Sequence, residues 1–291
     1  MVLVQIPGRS DEEIGKGNSR EKASSLRQIQ SIVESFGGYV KPCSIARDGE
    51  DRRNWVIDFS RTRIANQGLQ IVVDKLSEPQ FEFPGINGSV KNFFRDIDLS
   101  KTDIDDLGLR QMERMPITTL NLAFTNVTDI GVDRLCKQNR TLRAIDLSGT
   151  KVTSKGLASI SQIPTLSCLV LQQTLVDDLI AEHLSQLSIV HLDLSNTRVT
   201  DEVVRKARLR EVRWLSLSGT AVTDASFKIL GGLSKLENLK LSDTRIRGTD
   251  LLDLKALTQL RCLDLSGTEA TRNDVQKISA ILPSLKVQIE K

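Results

Sequence analysis

The sequence has 291 residues, of which 40 are basic and 37 acidic, so the formal net charge is only +3. This balance excludes the concentrated positive field of a typical nucleic-acid-binding protein, and nucleic acid is not the expected partner. The four cysteines, Cys43, Cys136, Cys168 and Cys262, lie far apart and lack the C-x-x-C spacing of a zinc site or the density of a disulfide framework. Cysteine usage therefore indicates a reducing compartment.

Residues 1–50 are predicted to form a flexible N-terminus followed by a capping helix. The apolar start is cut short by Pro7 and Gly8, so the apolar core of a signal peptide is missing. No segment approaches the roughly 20 apolar residues that span a bilayer. These features predict a cytoplasmic protein.

The capping helix is predicted from apolar residues on one helical face, which ends at Gly37-Gly38. The exposed end of a stack of repeats needs such a cover. The apolar residues are Leu26, Ile29, Ile32, Val33 and Phe36.

Residues 51–291 carry a repeat of the form L-x-L-S-x-T. From Thr102 onward the repeat spacing is 23 to 25 residues. Each L-x-L predicts a short strand, because alternate residues face the same side. The threonine of the repeat stands at Thr62, Thr102, Thr125, Thr150, Thr174, Thr197, Thr220, Thr244 and Thr268.

A Thr-Asp or similar pair follows each strand, as at Thr128-Asp129, Thr200-Asp201 and Thr223-Asp224. The threonine oxygen can accept a hydrogen bond from the free N–H groups of a following helical turn, so the pair predicts a helix N-cap. Apolar residues then follow at helical spacing, such as Val132 and Leu135. Each unit is thus predicted to be one strand backed by one short helix.

The whole pattern resembles the leucine-rich-repeat family, in the variant with Thr or Cys where the commonest type has Asn. The V-T-D-x-G-L segments are similar to bacterial repeats, including planctomycete ones, and to the cysteine-containing repeats of F-box proteins. The resemblance implies an α/β, right-handed leucine-rich-repeat solenoid (horseshoe) with a parallel concave sheet and convex helices. We expect the threonines from Thr102 to Thr268 to form a structural ladder that satisfies backbone groups where the chain leaves the sheet.

Two irregularities interrupt the predicted set of about ten strands. An insertion near residues 77–92 contains Phe81 and Phe83 between prolines; it is either a partner-binding loop or, the interpretation we favour, a local packing element. At the other end, Leu285, Val287 and Ile289 predict a last strand with an open edge. Self-association through that edge is one hypothesis, and a truncated chain or a short protective tail are the others.

The outward residues of the middle strands are the predicted partner-binding site. Trp214 is the most informative residue, because tryptophan is enriched at binding hot spots and its large surface stands on the solvent side of the sheet. Chance exposure, or cover by a neighbouring loop, is the alternative. Earlier repeats are acidic in the same columns, through Asp58, Asp96, Asp98 and Asp146. The predicted site comprises Cys168, Val170, His191, Asp193, Trp214, Ser216, Asn238 and Lys240.

Other chemistries find weaker support in the sequence. Cys168 and His191 stand on neighbouring predicted strands and could form a thiol–imidazole pair, but no oxyanion donors or pocket accompany them. The basic run from 205 to 213, and the basic residues after the threonine column at Arg63, Lys151, Arg198 and Arg245, are expected to form a solvated edge rather than a phosphate-binding rim. No motif indicates a cofactor or a metal ion.

These observations favour a non-enzymatic scaffold that binds a protein partner on its concave face. Three alternatives stay open: a recognition subunit or regulator of an enzyme complex of the ubiquitin-ligase kind, a Cys168/His191 enzyme, and a nucleic-acid binder. No F-box is recognisable before residue 50, which counts against the first of them.

Overall fold

A computed structural model describes residues 19–43, 54–76, 95–113 and 115–289. The predicted flexible segment before residue 19 and the insertion at 77–92 lie outside these ranges. The strands are β1 (Tyr39–Cys43), β2 (Asn54–Asp58), β3 (Asp96–Asp98), β4 (Thr119–Asn121), β5 (Ala144–Asp146), β6 (Cys168–Val170), β7 (His191–Asp193), β8 (Trp214–Ser216), β9 (Asn238–Lys240), β10 (Cys262–Asp264) and β11 (Lys286–Gln288).

The helices are α1 (Ser19–Ser35), α2 (Asn66–Leu76), α3 (Asp106–Gln111), α4 (Asp129–Gln138), α5 (Ile180–Leu184), α6 (Asp201–Lys206), α7 (Phe227–Leu230) and α8 (Arg272–Ile281). Within the described ranges, three stretches are 3₁₀ helices instead, at Ala158–Gln162, Asp224–Ser226 and Leu251–Ala256. The 3₁₀ geometry suits repeats such as the one with buried Leu157 and Ile160, because a spacing of three residues matches its three residues per turn.

One open sheet contains all these strands in the order of the sequence. From β2 to β11 neighbours pair in parallel and in a constant register, so that Ile145 lies opposite Leu169 and Leu169 opposite Leu192. The prediction of one strand per repeat, stacked in parallel, is confirmed. In the described part of the chain the sheet has eleven strands, one more than the predicted ten, because β1 pairs with β2 in antiparallel orientation.

The core lies between the sheet and the helices. Each central strand buries the two leucine-type residues of its L-x-L motif, as Leu120 and Leu122 do in the repeat of β4. Full burial of one such side chain contributes about 1.5–3 kcal/mol to stability. The residue between them, Asn121, is half-buried on the other side of the sheet, which we call the open face.

The Thr-Asp pairs do more than the predicted capping. Thr128 caps α4 by accepting a hydrogen bond from the Ile130 N–H, as predicted. In addition, the carboxylate of Asp106 in the preceding repeat accepts from the Thr128 N–H at 2.8 Å and from its hydroxyl at 2.6 Å. The same bonds join Asp129 to Thr153, Asp178 to Thr200 and Asp201 to Thr223. At these four junctions the aspartate therefore links one repeat to the next.

The threonine column, by contrast, is bonded within each repeat. The hydroxyl of Thr197 donates to the Leu194 carbonyl three residues earlier at 2.6 Å, and the equivalent bond is present from Thr102 to Thr268. It satisfies a backbone carbonyl at the point where the chain leaves the strand.

The residue before each of these threonines has a left-handed backbone. Its φ lies between +55° and +71° in all nine repeats. Glycine, asparagine or aspartate, which tolerate this conformation, occupy five of the nine positions. The other four positions are Arg61, Lys101, Phe124 and Gln173. For these larger residues the left-handed backbone conformation costs roughly 1–2 kcal/mol each.

Candidate functional site

The parallel register brings the predicted partner-binding residues together on four adjacent strands, β6 to β9. Trp214 lies opposite His191 on one side and Asn238 on the other, and His191 lies opposite Cys168. Two residues further along, the same strands align Val170, Asp193, Ser216 and Lys240. The eight positions thus form one contiguous area of the open face.

Trp214 is contacted by side chains from both neighbouring strands. The imidazole of His191 on β7 stacks on the indole with ring centroids 4.0 Å apart and an interplanar angle of 4°. The Lys240 Nζ on β9 lies 5.4 Å from the centre of the indole ring. A cation–π contact of this kind contributes about 0.5–1 kcal/mol where it is solvent-exposed. Trp214 is consequently half-buried and held in place within the chain.

The electrostatics keep the centre of this area uncharged. Burial lowers the pKa of His191, and Lys240 lowers it further, although the carboxylates of Asp193 and Asp146 oppose the shift. The His191 imidazole is therefore neutral at pH 7.

The carboxylates of the open face serve the turns that follow the strands. Asp98, Asp146, Asp193 and Asp264 each accept a hydrogen bond from the backbone N–H two residues later at 2.9–3.0 Å. This is the Asx-turn, in which a short acidic side chain satisfies a nearby backbone donor. Asp98 and Asp146 are predicted from the sequence only as acidic positions of the outward columns, although the D-x-S spacing that recurs at all four aspartates is a signal for the turn.

Asp58, the first of the acidic residues predicted in the outward columns, is already paired. It is 3% exposed and forms an ion pair with Lys41 of β1 at 2.8 Å. Burial alone would raise the pKa of Asp58, but hydrogen bonds from Lys41, Tyr39 and Ser60 together hold it below its usual value. This carboxylate attaches the N-terminal strand to the first repeat and is not free for a partner.

Ser216 also differs from its expected role. It is 1% exposed, and its hydroxyl lies 2.6 Å from that of Ser195, which in turn donates to Asp193 at 2.5 Å. A side chain this deeply buried does not reach a partner. The surface of the candidate site is accordingly formed by the half-buried Cys168, Val170, His191, Asp193, Trp214 and Asn238 and the exposed Lys240.

A comparison with models of known protein families agrees with this architecture. Residues 115–136 and 138–161, two successive repeats, match the family model described as Leucine Rich repeat. This match, together with the repeat pattern and the parallel sheet, supports the interpretation of the chain as a leucine-rich-repeat protein. Among solved structures it is similar to internalin C2 from Listeria monocytogenes, at 19% identity over 80% of each chain with a TM-score of 0.45. A search of curated proteins finds no match.

The basic run from 205 to 213 is largely neutralised by its surroundings. Glu202 pairs with both Arg205 and Lys206, and Arg213 pairs with Glu237 at 3.0 Å. These exposed pairs agree with a solvated edge and give little support to a phosphate-binding rim.

The described residues offer few other sites. An open cleft on the helix side is lined by Ile130, Arg134, Lys137 and Lys155, among others, and lies away from His191 and Cys168. Within the described ranges, no three His, Cys, Asp or Glu side chains are grouped so that they could hold a metal ion. No helix there is both long and apolar enough to cross a bilayer.

Proposed function

We propose that this leucine-rich-repeat protein is a non-enzymatic scaffold that binds a protein partner on the open face of its sheet. The site is centred on His191, Trp214 and Lys240. Stacked repeats commonly use such an extended face for binding. The observation that carries the proposal is the stack of His191 on Trp214.

The stack matters because it restricts the indole before any partner arrives. A side chain that is already held in one position loses less conformational entropy on binding than a mobile one. Tryptophan is also among the residue types most enriched at interface hot spots. A restrained and half-exposed indole is thus a suitable anchor for a partner.

The surroundings of the stack have the composition of an interface. Its centre is aromatic and neutral, because burial keeps His191 uncharged at pH 7. Lys240 provides a cation on one side and Asp193 a carboxylate on the other. Charged groups at the rim and few at the centre are typical of protein–protein contacts.

The experiment compares wild-type protein with Trp214→Thr as baits for affinity capture. Thr119 holds the equivalent position in β4, so threonine is compatible with the strand. Lys228→Ala is the matched control, since Lys228 is exposed on α7, the helix that follows β8. We expect at least one protein to be captured by wild type and Lys228→Ala but lost with Trp214→Thr.

The captured protein is then purified and its affinity measured by calorimetry. Loss of a hot spot corresponds to about 2 kcal/mol or more, which is roughly a 30-fold weaker Kd. If Trp214→Thr does not fold, Lys240→Glu replaces it as the test variant. Equal affinity of wild type and the variants, or a loss confined to Lys228→Ala, would contradict the proposal.

A further inference from the structure

A second exposed surface runs along the edge where the chain leaves each strand. We call it the turn edge and define it by the two residues that flank the threonine of each repeat, positions that are exposed in most repeats. In the first four repeats it carries four cations and one carboxylate, Asp103; in the remaining five it carries two of each. The four cations are Arg61, Arg63, Lys101 and Lys151.

None of these four cations forms an ion pair with a carboxylate of the described residues. The basic residues at 205, 206 and 213, by contrast, are all paired. The N-terminal half of the turn edge therefore has positive charge that no described carboxylate neutralises.

Phe124 lies in the middle of this basic half. Its side chain is 48% exposed although its backbone is left-handed, with φ at +58°. The ring covers Gly149 of the next repeat so closely that a side chain there would collide with it. On the other side, Lys101 Nζ lies 5.5 Å from the centre of the ring.

Neither packing in the core nor turn chemistry explains a phenylalanine at this position. Asn196 and Asp243 at equivalent positions favour the left-handed conformation, and the other large side chains there, Arg61, Lys101 and Gln173, are polar. A bulky residue retained in a strained and exposed position is a reason to look for a function. The strain and the exposure coincide with the unpaired cations.

The backbone of this region is fixed by bonds between repeats. The Lys101 N–H donates to the Ala123 carbonyl at 2.8 Å, and the Phe124 N–H donates to the Ser148 carbonyl at 2.7 Å. The aromatic ring and its cations are thus presented on a rigid edge, so little backbone entropy is lost on binding.

We propose that the turn edge from Arg61 to Lys151 binds an acidic protein segment that carries an apolar side chain. The carboxylates of the segment pair with the four cations, and its apolar side chain packs on Phe124. An acidic segment fits better than a phosphate backbone, because Asp103 interrupts the row of cations and the net charge of the chain is only +3.

The probe is a short fluorescein-labelled peptide rich in aspartate and glutamate with one central tryptophan, and binding is followed by fluorescence anisotropy. Phe124→Asn is the test variant, since asparagine tolerates the left-handed backbone. Gln173→Asn is the matched control, because Gln173 has the same backbone conformation and exposure in a later repeat. We expect Phe124→Asn to weaken binding about tenfold or more, a loss of about 1.4 kcal/mol, and Gln173→Asn to leave it unchanged.

Charge and location are tested separately. Lys101→Glu should weaken binding, and added salt should weaken it for the wild type as well. Trp214→Thr should bind the peptide as wild type does, which separates this surface from the open face. A peptide with lysine in place of its acidic residues should not bind.

Three results would overturn the proposal. The first is equal affinity for the acidic and lysine peptides, and the second is wild-type affinity of Phe124→Asn. The third is tighter binding of a single-stranded oligonucleotide of equal charge that depends on the same residues, which would identify a nucleic-acid surface instead.

Discussion

Replacing Asp201 with alanine should destabilise the junction between two repeats. Asp201 begins α6, and its carboxylate accepts hydrogen bonds from the Thr223 N–H at 2.9 Å, from the Thr223 hydroxyl at 2.7 Å and from the Ser226 hydroxyl. Ser226 is fully buried, and Thr223 is the N-cap of the next helical turn. The substitution removes the acceptor of all three bonds at once.

The expected loss is about 3 kcal/mol. A hydrogen bond to a charged group contributes roughly 1.5–3 kcal/mol, and a neutral donor left buried without an acceptor costs about 1–3 kcal/mol. Asp201 is half-buried, so water replaces part of what is lost, and the bonds do not add fully. We therefore assign one bond about 1.5 kcal/mol, the lower limit for a bond to a charged group, and the other two less than about 1 kcal/mol each. Together they give the expected loss.

The effect is measured by urea unfolding and by amide exchange at Thr223. Amide exchange is needed because a protein of stacked repeats can unfold in parts. The urea transition of the whole chain can then hide the opening of one junction between repeats. Asp250→Ala is the control: it removes an exposed aspartate that makes no capping hydrogen bond. That control should change stability by less than about 0.5 kcal/mol.

The reasoning is refuted if Asp201→Ala and Asp250→Ala have the same unfolding free energy and Thr223 stays protected in both. Such a result would mean that packing of the apolar layers alone holds successive repeats together. A loss for Asp201→Ala with faster exchange at Thr223 is the expected outcome.

Two further predictions concern the threonine column and pH. Thr220→Val should cost about 1–3 kcal/mol, because it leaves the Leu217 carbonyl without its buried donor; an unchanged melting curve would contradict this. Burial lowers the pKa of His191, so the unfolded state binds the proton more readily and stability falls as the pH drops below about 6.5. In urea unfolding, His191→Gln should lose less stability than wild type between pH 7 and pH 5. Equal losses would show that His191 does not cause the fall in stability.

Much of the fold could be predicted because the repeat is local in sequence. A pair such as Ile145 and Leu147 determines a strand and its buried face by alternation alone. A pair such as Thr200-Asp201 determines where the next helix begins, because the cap involves neighbouring residues. Since each unit can bury its apolar face only against the next, the parallel stacking follows from these local signals.

The candidate site could be predicted as a set of positions, but the state of each side chain depended on its neighbours across the sheet. The sequence alone determined that Trp214 stands on the outward side of its strand. The tertiary structure decided that His191 stacks on it, that Ser216 is buried, and that Asp58 is occupied by Lys41. The reason is physical: these contacts join residues on neighbouring strands. Their geometry is set by the register and spacing of the packed strands, which no local pattern specifies.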